Sequence, residues 1–334
     1  MNALIIETAF LGDVILSLAL AEELKRLEPT ANISYLVRPD VENLLSFAPA
    51  VDNVIVFDKK GADSGADGIR RMAERLNALQ FDTVLQLHDS ARTRRLVALL
   101  NADTKIGFGN ADGRMTNVVD ANVSSRSSRA ISLLMPLFQN PNLSTLPRLV
   151  PPIPDVMRDW QNPGVNTIAL APGSVWATKR WGDEKYCKLA IQLVRGGSRI
   201  AVIGANDVQE FGNKLEEELG HANVLNLAGK TSLAESAGAI SICDLLIGND
   251  SAPIHLSTAV GTRSIAIFGP TLPSFGFAPP ASLGVTVELT ALWCRPCGSH
   301  GYQTCPVYTH ECMERISVES VLQRALAMVA QVDP

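Results

Sequence analysis

The sequence predicts an α/β protein of two domains in tandem, on three observations. Short apolar runs alternate with segments of helical period along the whole chain, as in βαβ units on a parallel sheet. The rhythm breaks once, over residues 139–164, where Pro141, Pro147, Pro151, Pro152, Pro154 and Pro163 gather with asparagines. That composition suits a join between domains. The 334 residues, 46% hydrophobic and 19% charged, are enough for two ordinary cores.

In the first series, residues 3–7 read as a strand, and Val14, Leu18, Leu20, Leu24 and Leu27 follow at helical spacing. Strands are expected at 33–37, 54–57, 84–87 and near 105–108, with helices at 41–47, 69–79 and after Asp89. The second series has strands at 167–171, 199–203, 224–227, 244–247 and 264–268, with helices between them. A closing helix is expected over 317–332, with Val318, Val321, Leu322, Ala325, Leu326 and Val329 on one face.

Composition excludes some classes of function. Net charge is −5 and spread evenly, and aromatics are 5%, so neither a basic nucleic-acid surface nor a base-stacking platform is expected. Ala3–Ile6 lacks a basic leader and is soon interrupted by Glu7 and Asp13, unlike a signal peptide. No apolar run approaches a membrane span. The expectation is a cytoplasmic protein whose six cysteines are reduced.

The most informative stretch is Gly248-Asn249-Asp250-Ser251-Ala252-Pro253-Ile254-His255. It lies between a buried strand and an apolar helix, with Ser251 placed to cap the helix and Pro253 suited to its first turn. A helix N-terminus there suits a phosphate or pyrophosphate. Lys179 and Arg180 add positive charge from the loop 172–181. Ser174, Thr231 and Ser251 add hydroxyls, and Asn206 with Asp207 follow a strand where a ribose can be held. This set suits a nucleoside diphosphate at the carboxyl edge of a sheet. The first βα loop has one glycine, Gly12, so the dinucleotide fingerprint and the P-loop are both missing. A dehydrogenase is thereby disfavoured. Asp13 opens the first helix, as a dipole partner or as a general base. Arg92, Arg94 and Arg95, beyond a strand's carboxyl end, are either a solvated helix face or a clamp for an anionic acceptor.

Four stretches together resemble the glycosyltransferase family 9 heptosyltransferases of bacterial lipopolysaccharide core synthesis. They are Leu11-Gly12-Asp13-Val14; Ala171-Pro172-Gly173-Ser174 with Lys179-Arg180-Trp181; Asn249-Asp250-Ser251 with Pro253 and His255; and Phe268-Gly269-Pro270-Thr271. The resemblance implies a GT-B architecture, two Rossmann-like domains facing across a cleft. It divides the chain into an acceptor domain at 1–150, a donor domain at 165–316 and a helix, 317–334, returning to the first domain. It implies Asp13 as the base, and Ser174, Lys179, Arg180, Asn206, Thr231, Asp250, Ser251, Ala252 and His255 as donor-binding positions. The family usually has glycine where Ala252 stands, which puts the donor in question more than the reaction.

The implied reaction is inverting transfer of heptose from ADP-L-glycero-β-D-manno-heptose to an inner-core lipopolysaccharide acceptor. It needs no further cofactor and involves peripheral contact with the inner membrane. Arg126 and Arg129 join the candidate acceptor-phosphate ligands. Alternatives are a nucleotide-sugar epimerase or hydrolase, a transferase for another sugar, and a non-catalytic sugar-nucleotide binder. The cysteines at 294, 297, 305 and 312 form C-x2-C-x7-C-x6-C with His300 and His310 inside. Such spacing can build a structural zinc site. The second pair is not a C-x2-C, so reduced structural thiols are the expectation and no metal is assigned.

Overall fold

The computed structural model describes residues 1–109, 113–120 and 122–330. The chain divides into two compact units, Met1–Val150 and Pro151–Pro334, so the break falls inside the Pro-rich stretch.

The first unit has strands β1 (Asn2–Ile6), β2 (Asn32–Val37), β3 (Asn53–Val56), β4 (Thr83–Gln86), β5 (Thr104–Gly107) and β6 (Asn117–Val118). Their order is β3-β2-β1-β4-β5-β6 and every pair is parallel. β1 is apolar without alternation and buries Ala3, Leu4, Ile5 and Ile6, as a strand covered on both faces must. The helix Leu11–Leu27 follows, with Asp13 in its first turn and Lys25 and Arg26 in its last. That charge order matches the helix dipole. Leu4, Ile6, Leu36, Phe57, Met72 and Val84 belong to one core cluster.

The second unit repeats the plan with β7 (Thr167–Ala171), β8 (Arg199–Val202), β9 (Val224–Asn226), β10 (Leu245–Asn249), β11 (Ser264–Phe268) and β12 (Gly284–Glu288). The order is β12-β11-β10-β7-β8-β9, again all parallel. Ile168, Leu170, Trp181, Tyr186, Ile247 and Ile267 lie in its core.

In each sheet the chain runs outward one way from its first strand, then returns to that strand's other side. The order therefore reverses between β1 and β4, and between β7 and β10. The loops leaving the two carboxyl ends diverge there, which opens a crevice for a ligand.

The last helix, Val318–Ala330, packs on the helix Asp183–Arg195 and on β10 and β11. Val321 and Ala325 are buried in the second core. Small and β-branched side chains on that face fit closely against the second sheet, whereas Leu326, expected on the same face, is exposed. The short strand β6 and the half-covered edge strand β12 have too little continuous apolar sequence to be read in advance. Inside the Pro-rich stretch, the helix Asp155–Trp160 is fastened to the second unit by Trp160 Nε1, which donates to His221 O at 2.7 Å.

Candidate functional site

The second unit builds its site on the two loops that flank the β7/β10 crevice, and Asn249 ties them together. It ends β10 fully buried. Its Oδ1 accepts from Trp181 N–H at 3.1 Å and from Tyr186 OH at 3.2 Å, and its Nδ2 donates to Pro172 O at 2.7 Å. Trp181 is anchored at its other end, with Nε1 donating to Ile316 O at 3.0 Å. The loop 172–181 is thus held to the strand end by side-chain amide bonds, and its polar tip is held in place.

Lys179 reaches from that loop to Asp250. The Nζ–Oδ2 distance is 2.6 Å, and the side chains are only 12% and 3% exposed. Nζ also donates to Asp250 O at 3.2 Å. Thr271, at the end of the loop after β11, donates its hydroxyl to the same carboxylate oxygen at 2.6 Å. Lys179, expected on a donor phosphate, is therefore first the counterion of a buried carboxylate. Arg180 donates from Nε to Ser174 O at 3.0 Å and pairs with Asp207. Ser174 Oγ accepts from Trp176 N–H at 3.2 Å, closing a local turn. Ser174, Arg180 and Asp207 therefore form one bonded set and Lys179, Asp250 and Thr271 a second, adjacent in the chain at Lys179-Arg180.

The helix Ala252–Val260 begins at the second of these sets. Ser251 occupies the N-cap position, but the expected cap is not formed. Its hydroxyl donates to Gly173 O and Asn249 O, and no side chain caps the first turn. Ala252 has helical backbone and is not among the positive-φ residues, so alanine is accommodated without strain in place of the family's glycine. His255 lies one turn further in, buried, with its ring 5.7 Å from that of Phe277. Burial pushes its imidazole down to about 4 despite Asp250 nearby, so it is neutral and offers one N–H, not a cation. Thr231 is committed elsewhere, its hydroxyl 2.8 Å from Ser236 Oγ. Asn206 is exposed against Gly229, whose φ of +69° and 2.5 Å Cβ approach to Asn206 Oδ1 require glycine.

The first unit has a matching group at its β1/β4 reversal. Glu7 ends β1's run and is buried, its Oε1 accepting from Ala9 N–H at 2.9 Å. Burial, then the charge of Asp13, pushes the Glu7 carboxyl up to about 8, against smaller opposing effects of Ala9 N–H, Arg126 and Lys59. Glu7 is therefore neutral at pH 7, and Asp13, half-buried at the start of its helix, is the neighbouring carboxylate that helps to raise it. Thr8 Oγ1 bridges the reversal to His88 Nδ1 at 2.8 Å, and Lys59 Nζ donates to Thr8 O at 2.6 Å. Burial pushes His88 down to about 4.

The three arginines expected to act together part company. Arg92 lies within electrostatic reach of Lys59, Arg94 pairs with Asp89 at 3.2 Å, and Arg95 is exposed. Asp89 also takes the nearly buried Arg114 at 2.7 Å. Arg129 lies over the Phe108 ring at 3.8 Å. Sequence reasoning missed Glu7, Thr8 and His88 as site residues. The available signal was their position, at the carboxyl ends of the two strands where the sheet order reverses.

Over 175 residues the chain is 33% identical to a lipooligosaccharide heptosyltransferase 2 of Campylobacter jejuni subsp. jejuni, a match covering 50% of this chain. The chain thus spans about half the length (53%) of that relative. It is 27% identical over 308 residues to lipooligosaccharide heptosyltransferase 2 of Haemophilus influenzae, covering 86% of this chain and 88% of that one. The solved structure of Escherichia coli ADP-heptose lps heptosyltransferase II superposes with a TM-score of 0.78 at 23% identity, covering 99% of both chains. That likeness fixes the fold as the two-unit α/β plan of GT-B glycosyltransferases. The description of glycosyltransferase family 9 (heptosyltransferase) matches residues 69–305, from the helix Gly65–Ala78 past the Asp250 turn to Cys305, and the chain belongs to that family.

Proposed function

We propose that this chain moves a heptose from ADP-L-glycero-β-D-manno-heptose to an inner-core lipopolysaccharide acceptor, inverting the anomeric carbon. The observation that carries the reading is in the second unit. The N-terminus of Ala252–Val260, without a side-chain cap, adjoins the Lys179–Asp250 pair at the β7/β10 reversal. Helix-end N–H groups and a fixed ammonium favour the charge that grows on a departing diphosphate.

In this reading the second unit holds ADP, with Arg180, Ser174 and Asn206 as further contacts. The neutral His255 donates one hydrogen bond. Asp13 of the first unit takes the proton from the acceptor hydroxyl as its oxygen attacks the sugar. The neutral Glu7 leaves Asp13 as the anion of the pair, able to accept that proton. Arg92, Lys59 and Arg126, beside the same strand ends, favour an anionic acceptor. No described helix is long and apolar enough to cross a membrane, and contact with the lipid-borne acceptor is proposed as peripheral.

The test is a donor screen with a core acceptor, read by mass change. ADP-heptose should add one heptose, and UDP- and GDP-sugars should add nothing. Transfer only from a different nucleotide sugar, or release of free sugar without acceptor modification, would sink the reading.

A further inference from the structure

Phe10 stands where a polar residue is favoured. It occupies the N-cap position of Leu11–Leu27, with extended backbone and with its carbonyl accepting from Val14 N–H at 3.2 Å. A side-chain oxygen suits that position, because it can accept from the N–H groups that open a helix. Ser90 does so for Ala91–Ala98, taking Thr93 N–H at 3.2 Å. Phe10 gives its helix no side-chain cap, and its own ring is 53% exposed. The ring therefore serves neither the helix end nor, for much of its area, the core. The Arg38 guanidinium lies over it at 6.0 Å, and a contact at that reach on an exposed ring is weak.

What surrounds the ring indicates what it meets. N-cap and N3 are the two positions whose side chains come together in a capping box, and N3 of this helix is Asp13. The ring thus stands within a turn of the carboxylate read above as the base. Cations gather at the same strand ends. Lys59 Nζ donates to Thr8 O at 2.6 Å, two residues before the ring, and Lys59 lies within electrostatic reach of Arg38 and Arg92. Arg38 follows β2 directly and is steadied by Asp40. A pyranose has C–H bonds on one face and hydroxyls around its rim. The face of an aromatic ring carries partial negative charge, which suits the C–H face of a sugar. A lipid tail would match the ring, but not the cations and the carboxylate beside it.

We propose that Phe10 is the stacking platform for the accepting sugar, whose C–H face lies on the ring so that its attacking hydroxyl turns toward Asp13. Arg38 and Lys59 then meet an anionic substituent at the rim of that sugar. The proposal rests on the reading that the first unit takes a sugar acceptor, and it adds the residue that orients that sugar. Phe10 moves no proton and neutralises no charge. Its loss should therefore appear in acceptor binding, before and during the reaction alike.

The probe is a deacylated inner-core oligosaccharide, given to the full chain with ADP-heptose. Phe10→Ala should raise the acceptor KM by about tenfold or more, the scale of one lost ring contact. Its kcat should change by less than about threefold, and its ADP affinity should hold. Phe10→Tyr keeps the ring and should restore acceptor affinity to within about threefold of wild type. Phe10→Ser should part stability from function: as a better cap it should raise the urea midpoint, yet bind the oligosaccharide as weakly as Phe10→Ala. A Phe10→Ala acceptor KM within about threefold of wild type overturns the platform. So does a penalty seen only with acylated acceptor, which assigns the ring to lipid, and so does a lowered midpoint in Phe10→Ser, which assigns it to the fold. Calorimetry with the oligosaccharide alone separates the platform from the transfer reading. Wild type that binds it more tightly than Phe10→Ala but transfers no heptose overturns the transfer reading and leaves the platform standing. Wild type that transfers heptose while both chains bind alike overturns the platform alone, and wild type that neither binds nor modifies the oligosaccharide overturns both.

Discussion

Replacing Glu7 by glutamine should stabilise the protein at neutral and alkaline pH. The carboxyl titrates near 4.5 in an open chain and at about 8 in the fold. Above pH 4.5 the unfolded chain gives up this proton while the folded chain keeps it. Folding then has to take up a proton, and that costs more with each pH unit until the folded group also ionises near 8. The slope is about 1.4 kcal/mol per pH unit. The gap between the two values makes the accumulated cost about 4 kcal/mol at pH 7.5 and about 1 kcal/mol at pH 5. Glutamine keeps the shape and stays neutral at every pH, so it escapes this cost.

Urea unfolding of the first unit, repeated from pH 4.5 to 8.5, should show the variant's advantage opening steadily and then levelling. A difference that stays flat across that range would mean Glu7 ionises normally in the fold. It would also remove the reason for regarding Asp13 as the anion of the pair. Turnover is expected to survive, because glutamine reproduces the neutral state of Glu7.

Other perturbations separate structure from chemistry. Asp13→Asn should lower heptose transfer by roughly 100-fold or more, the range of a general base, while ADP affinity in calorimetry stays within about twofold; retention of most turnover would sink the assignment. Lys179→Ala leaves the buried Asp250 without its cation and should cost about 3–5 kcal/mol in denaturant titration. Adding Asp250→Asn should recover part of that loss, and strictly additive losses would show that the pair is not coupled. Asn249→Ala orphans Trp181 N–H, Tyr186 OH and Pro172 O and should destabilise the second unit by about 3 kcal/mol or more. For His255 the unfolded ring takes up a proton below its ordinary 6.5, and the folded ring only near 4. Stability should therefore fall as pH drops through that interval, and His255→Gln should flatten the fall. A variant with an unchanged acid limb would place the acid sensitivity elsewhere.

The two-domain α/β plan was legible because parallel strands covered on both faces need unbroken apolar runs, as in Ala3–Ile6 and Leu245–Ile247. The polar turns at the strand ends were legible too, since they leave short signatures such as Asn249-Asp250-Ser251. Local sequence did not say how those side chains would be used. Ser251 stands at a helix N-cap, yet its hydroxyl donates to carbonyls. Arg92, Arg94 and Arg95 look like one clamp, but a helix turns Arg94 away from the face that Arg92 and Arg95 share, and of the three it is Arg94 that pairs with Asp89.

By itself, then, the sequence determined the periods of its elements, their carboxyl-end polar turns and the family those turns match. Only the tertiary structure decided strand order, which brings Thr8 to His88 and joins Lys179 to Asp250 across 71 residues of chain. It also decided that the last helix covers the second sheet. The physical reason is that apolar period records which face is buried and not against what. A carboxyl's protonation state likewise depends on burial and on neighbouring charge that distant segments supply.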